Sequence, residues 1–114
     1  MTHGPEYAVK QDIKELLTSI GAWFFMPVPT GYGRRGISDF VGIYKGRGFL
    51  IEAKAEFGQL TAWQEKELYK ARDAGGIAIC ATAPNHLAQV REALGLTGLC
   101  PHNAEWDDCP DCRH

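Results

Sequence analysis

The chain predicts a single α/β domain with a mixed sheet flanked by helices. Its 114 residues are 45% hydrophobic and 23% charged, enough apolar content for one core and too short for two. Helical and strand periodicities alternate in the order α-β-β-β-α-β-α. The last fifteen residues break from both and gather three of the four cysteines, so the division falls into residues 1–97 and a tail of 98–114.

The first helix is expected from about Glu6 to Ile20, after Pro5 and before Gly21. Val9, Ile13, Leu16, Leu17 and Ile20 form its apolar stripe. Trp23 to Val28 reads as a short aromatic strand stopped by prolines. Residues 30–36 hold three glycines and two arginines and read as a loop. Asp39 to Lys45 and Phe49 to Lys54 are apolar runs joined through Lys45-Gly46-Arg47-Gly48, a hairpin signal. A second helix starts near Thr61 and ends at Gly75-Gly76. Ile77 to Thr82 is a strand, and Asn85 to Leu94 a third helix. Trp23, Trp63 and Cys80 are expected in the interior, and His86, opening a helix after Pro84, at the surface.

A two-residue turn at Gly46-Arg47 pairs Lys45 with Gly48. It sets Asp39 opposite Lys54 and Val41 opposite Glu52. Side chains alternate across a strand, so Asp39, Glu52 and Lys54 share one face. The other face carries Phe40, Gly42, Tyr44, Phe49, Ile51 and Ala53. Both are largely apolar, which calls for helices on both sides.

Net charge is −2, which argues against a passive polyanion coat. Four of the 14 acids and one of the 12 bases lie in Cys100–His114, so the body is close to neutral. Arg34, Arg35, Lys45 and Arg47 cluster around one acid, Asp39, and form a basic patch suited to DNA phosphates. No basic segment leads into an apolar run at the N-terminus and no stretch is long enough to span a bilayer, so the expected address is the cytoplasm.

Two carboxylates and a lysine on one sheet face can be a salt-bridged polar cluster. Carboxylates from neighbouring strands also hold a hard divalent cation such as Mg²⁺ or Mn²⁺, with Lys54 projecting beside it. Glu6 lies two helical turns before Ile13, on the inward stripe, where it can serve the site or the helix dipole. Gln64 faces inward too, yet Thr61 and Gln64 have capping-box spacing, which alone accounts for both. Three glycines without Gly-Lys-Ser/Thr make no nucleotide loop, and no Ser-His or Cys-His dyad competes.

Gly36-Ile37-Ser38-Asp39-Phe40-Val41-Gly42 followed by Ile51-Glu52-Ala53-Lys54 resembles the PD-(D/E)xK nuclease superfamily. Within it the chain looks like the virus-type replication-repair nuclease (VRR-NUC) family over roughly residues 5–94. That family's pattern is an early helical Glu, Gly-x-x-Asp, Glu-x-Lys, then Ser/Thr-x-x-Gln. Here these positions are Glu6, Asp39, Glu52-Ala53-Lys54 and Thr61-Ala62-Trp63-Gln64, with Ser38 where proline is usual. The resemblance implies a restriction-endonuclease-like core and a metal-dependent DNA endonuclease. Its catalytic set would be Glu6, Asp39, Glu52, Lys54 and Gln64, with Mg²⁺ or Mn²⁺ on Asp39, Glu52 and the Ala53 carbonyl. It further implies a homodimer acting on branched DNA such as four-way junctions. The competing reading is a non-catalytic nucleic-acid-binding module of the same fold. A third, a structural zinc-ribbon interaction protein, leaves the carboxylate cluster unexplained.

The tail reads Cys100-Pro-His102, then Cys109-Pro-Asp-Cys112-Arg-His114. Cys-x2-Cys is a zinc-knuckle spacing, and a structural Zn²⁺ on Cys100, Cys109, Cys112 and His102 (or His114) is expected. The alternative is an acidic tail with incidental cysteines. The family resemblance does not extend to it.

Overall fold

The computed structural model describes residues 4–28 and 36–96. Arg34, Arg35 and the tail with Cys100, His102, Cys109, Cys112 and His114 lie outside the described residues. The elements are α1 (Pro5–Ser19), β1 (Trp23–Phe25), β2 (Phe40–Tyr44), β3 (Arg47–Lys54), α2 (Ala62–Asp73), β4 (Ile77–Thr82) and α3 (His86–Ala93). All seven expected elements form, in the expected order. No described helix is long and apolar enough to cross a membrane.

The strands run β1-β2-β3-β4 across one sheet. β1–β2 and β2–β3 are antiparallel, and β3–β4 is parallel, with α2 as the crossover. The hairpin register differs from the sequence expectation by two residues. Tyr44 pairs with Arg47, so the turn is Lys45-Gly46. Both turn residues have positive φ, 49° and 82°, the requirement of a type I′ turn whose twist matches the flanking strands. Continuing the register by one rung sets Asp39 opposite Glu52 rather than Lys54. A shift of two leaves every side chain on its face, so the predicted grouping survives.

One face of the sheet carries Phe40, Phe49, Ile51, Ala53 and Ala81. These pack with Val9, Ile13, Leu16 and Leu17 of α1, and with Val90, Leu94 and Leu96 in and after α3, in one apolar cluster. Ile13, Leu17, Phe40, Phe49, Ile51 and Val90 are completely buried, each worth about 1.5–3 kcal/mol in transfer from water. Helix α2 covers the β3–β4 half of the opposite face, where Leu68 and Ala78 are buried. The β1–β2 half of that face is exposed: Trp23 and Phe25 meet edge-on at 6.0 Å, with Ile43 beside them.

Three expectations are corrected here. Trp23 and Trp63 are 64% and 50% exposed, because one sits on an edge strand and the other on the outer first turn of α2. His86 is buried, since its Nε2 pairs with Asp12 Oδ2 at 2.8 Å across the α1–α3 contact. Cys80 is only half-buried, because β4 is an edge of the described sheet. At that edge Arg72 Nε donates to the Ala78 carbonyl at 2.6 Å, and the Thr82 N–H donates to Gln89 Oε1 at 2.7 Å.

Candidate active site

Asp39 immediately precedes β2, and Glu52 and Lys54 end β3 on the same face. The approach to Asp39 depends on Gly36. Its φ is 76°, and a side chain there would run into the Trp63 carbonyl at 2.3 Å. Only glycine lets this segment pass beneath the start of α2 and deliver Asp39 to the sheet. Ser38 follows, buried, with no hydrogen-bond partner for its Oγ among the described residues.

The two acids are tied by main-chain bonds. The Asp39 N–H donates to Glu52 Oε2 at 3.2 Å, and the Ala53 N–H donates to Asp39 Oδ2 at 2.8 Å. Gln64 Nε2 donates to Glu52 Oε1 at 2.8 Å. Gln64 also closes the α2 capping box: its backbone N–H donates to Thr61 Oγ1, and its Oε1 accepts from the Thr61 N–H. The two roles weighed for it therefore coexist. The cap fixes the amide so that its remaining donors can hold Glu52.

Lys54 Nζ lies 3.8 Å from Glu52 Oε1 and 3.9 Å from Glu6 Oε1. Glu6 Oε2 is 3.6 Å from Lys10 Nζ, which reaches Asp39 Oδ1 at 3.3 Å. Glu6 thus stands behind the lysines rather than beside the other carboxylates. Lys10 is the participant the sequence reading missed. Its signal was available: it is one turn beyond Glu6, at i+4 on the same helix face.

Glu52 is only 3% exposed. Burial, then the adjacent Asp39 charge, push its carboxyl up from 4.5 to about 7; Lys54 opposes the shift. For Lys10, burial works to lower the pKa, but the carboxylates of Asp39, Glu6 and Glu52 outweigh it and hold the ammonium above its ordinary value. The site is therefore two crowded acids, a cation on each, and an amide holding one in place.

Glu6, Asp39, Glu52, Lys54 and Gln64, expected together, are together. Lys45 and Arg47 are not with them: they stand at the hairpin end of β2–β3, about 20 Å along the strand from Asp39. Among the described residues no group of three or more His, Cys, Asp or Glu side chains is arranged to hold a metal ion. The Asp39–Glu52 pair does fit a hard divalent cation. A buried carboxyl pushed up by desolvation and by the neighbouring Asp39 charge is part of a donor set that a small oxygen-seeking ion relieves. A cavity of about 430 Å³ lies elsewhere, open to solvent at the β4 edge and lined by Arg72, Ile79, Cys80, Gln89, Glu92 and Ala93. It contains none of these groups.

No protein-family model matches the chain, and no curated protein does. Among solved structures it is similar to Hjc, a Holliday junction resolvase from the archaeal hyperthermophile Archaeoglobus fulgidus. The TM-score is 0.52 at 21% identity, over 67% of this chain and 66% of that one. The chain thus spans about two thirds of the resolvase's length, and the likeness establishes a shared restriction-endonuclease-like α/β fold.

Proposed function

We propose that the chain is a metal-dependent DNA endonuclease that hydrolyses phosphodiester bonds in branched DNA such as four-way junctions. The observation that carries this is the hydrogen-bonded Asp39–Glu52 pair, Glu52 buried and Asp39 half-buried, with Lys54 against it at the end of two adjacent strands. A pure binding module has no use for carboxylates facing phosphate. The fold shared with a Holliday junction resolvase supports the branched substrate.

Asp39, Glu52 and the Ala53 carbonyl would hold Mg²⁺ or Mn²⁺. When bound, the ion supplies Lewis acidity toward the scissile phosphate and lowers the pKa of water. Lys54 orients the attacking hydroxide by hydrogen bonding and offsets charge that builds on the phosphoryl oxygens as the new P–O bond forms. The opposite P–O bond breaks, and the departing sugar oxygen takes a proton from solvent. Gln64 and Glu6 are positioning residues: one fixes the Glu52 carboxylate, the other the Lys54 ammonium.

Arg34 and Arg35 would grip phosphates on approach to the cut, with Lys45 and Arg47 contacting DNA farther off. A chain contributes one such cleavage centre and a four-way junction is cut on two strands, so the working form would be a homodimer. The 98–114 tail would fold around Zn²⁺. Incubating purified protein with a four-way junction, a flap, plain duplex and single strand, with and without Mn²⁺, tests the reading. Mn²⁺-dependent cleavage that favours the junction supports it. No cleavage of any of the four overturns it.

A further inference from the structure

The turn after Lys54 holds a residue that both backbone and burial disfavour. In Ala55-Glu56-Phe57-Gly58 the Gly58 N–H donates to the Ala55 carbonyl at 2.8 Å. Phe57 is third in this turn, with φ of 70°. That position calls for glycine or asparagine, and a bulky aromatic there is strained. Burial offers no compensation. The ring is 89% exposed, more than any other large hydrophobic side chain among the described residues. Stability alone selects against phenylalanine here, and strain of this kind gathers at functional sites.

The surroundings narrow the role. The turn lies against Lys54: a Cβ added to Gly58, the residue after Phe57, would come within 3.3 Å of the Lys54 Cβ. Trp63, half-exposed, is the second residue of α2, immediately before Gln64. An apolar ring held outward on the turn that follows a phosphate-directed ammonium offers contacts for the two halves of a nucleotide, base and phosphate.

We propose that Phe57 is a specificity-determining residue that stacks on a nucleobase whose neighbour has been lost at a branch, close to the scissile phosphate. In continuous duplex both faces of each base are covered, so the ring finds no partner. At a branch point stacking is interrupted and one face is free. The strained turn fixes the ring outward in advance, so little ordering remains to be done on binding. This inference rests on the nuclease reading above.

The test uses the full chain with Phe57→Gly and Phe57→Trp. Binding is measured to a four-way junction with 2-aminopurine at the branch, and to a continuous duplex of the same sequence, both in Ca²⁺. Cleavage is followed in Mn²⁺. Phe57→Gly relieves the positive φ, so its Tm equals or exceeds that of the parent and misfolding is excluded as a cause. Its preference for junction over duplex falls roughly 10- to 100-fold, the loss of one base–aromatic stack. The 2-aminopurine response on binding is lost with it, and Phe57→Trp retains both. An unchanged preference overturns the proposal, as does an equal loss on both DNAs. So does a loss that follows a change in oligomeric state, which would make Phe57 a contact between copies. In each of those cases a parent protein that still cuts junctions leaves the nuclease reading standing. A parent inert on all DNA defeats both.

Discussion

Replacing Glu52 with glutamine isolates the electrostatic tension in the site. The native carboxyl holds its proton up to about pH 7, whereas the unfolded chain releases it near 4.5. Between those values the native state binds more protons than the unfolded one, so this group's contribution to stability is complete below pH 4.5 and is lost as pH rises through 7. The gap corresponds to about 3 kcal/mol against the ionised native state. Glutamine removes that penalty. It cannot accept from both the Asp39 N–H and Gln64 Nε2, so one hydrogen bond is forfeited, at a cost of about 1 kcal/mol. The net gain is about 2 kcal/mol at pH 8, a rise in Tm of about 8 °C for a chain of this size. At pH 5 the parent carboxyl is already protonated and the gain vanishes. Thermal melts by circular dichroism in chelator, at both pH values, measure the difference. Mn²⁺ at pH 8 should then raise the Tm of the parent and leave Glu52→Gln unmoved, and the variant should not cut DNA. A variant that melts below the parent by the same margin at pH 5 and pH 8 would refute the reasoning, because it would show that the buried carboxylate carries no charge penalty.

Lys54→Ala should reduce cleavage by at least about 100-fold while changing junction affinity by only a few-fold, since one phosphate-facing charge adds little to total binding; parallel gel-shift and single-turnover assays separate the two. Lys10→Met removes the ammonium 3.3 Å from Asp39. The metal-free protein should lose about 1 kcal/mol and Mn²⁺ should bind several-fold tighter, because a resident competing cation has gone; calorimetric titration checks the sign, and weaker Mn²⁺ binding would count against it. Protein purified without chelator should carry one equivalent of Zn²⁺ by elemental analysis, and Cys109→Ser with Cys112→Ser should abolish it.

The grouping of Asp39, Glu52 and Lys54 on one face was legible because it depends on parity. The turn falls at Lys45-Gly46, where a lysine takes a left-handed conformation that composition does not advertise. Misplacing it by two residues changed which rungs pair but not which side chains share a face. Gln64 was legible as inward and as a cap; that one side chain performs both tasks follows from amide geometry, which spacing does not encode. Lys10 escaped because a lysine one turn from Glu6 is ordinarily half of a solvated helix-surface pair, and it is the arrival of Asp39 beside it that ties it to the site. His86 escaped for a similar reason. Its own segment predicts a surface residue, and the acid that buries it is Asp12, 74 residues away. The exposed Trp23 and Phe25 reflect a sheet whose helices cover one face fully and the other by half, a tertiary fact invisible to hydropathy.

The two side chains that reach the outer rim of β4 bear on how these molecules behave when crowded. By alternation, Ala78, Cys80 and Thr82 turn their main-chain groups away from β3. Arg72 occupies the Ala78 carbonyl and Gln89 the Thr82 N–H. The Thr82 carbonyl is taken by the Asn85 N–H, so a strand arriving from another molecule would meet a rim whose acceptors at Ala78 and Thr82 and donor at Thr82 are already filled. Among the described residues the β4 edge is thus blunted toward templated strand pairing, by side chains of the protein's own two flanking helices.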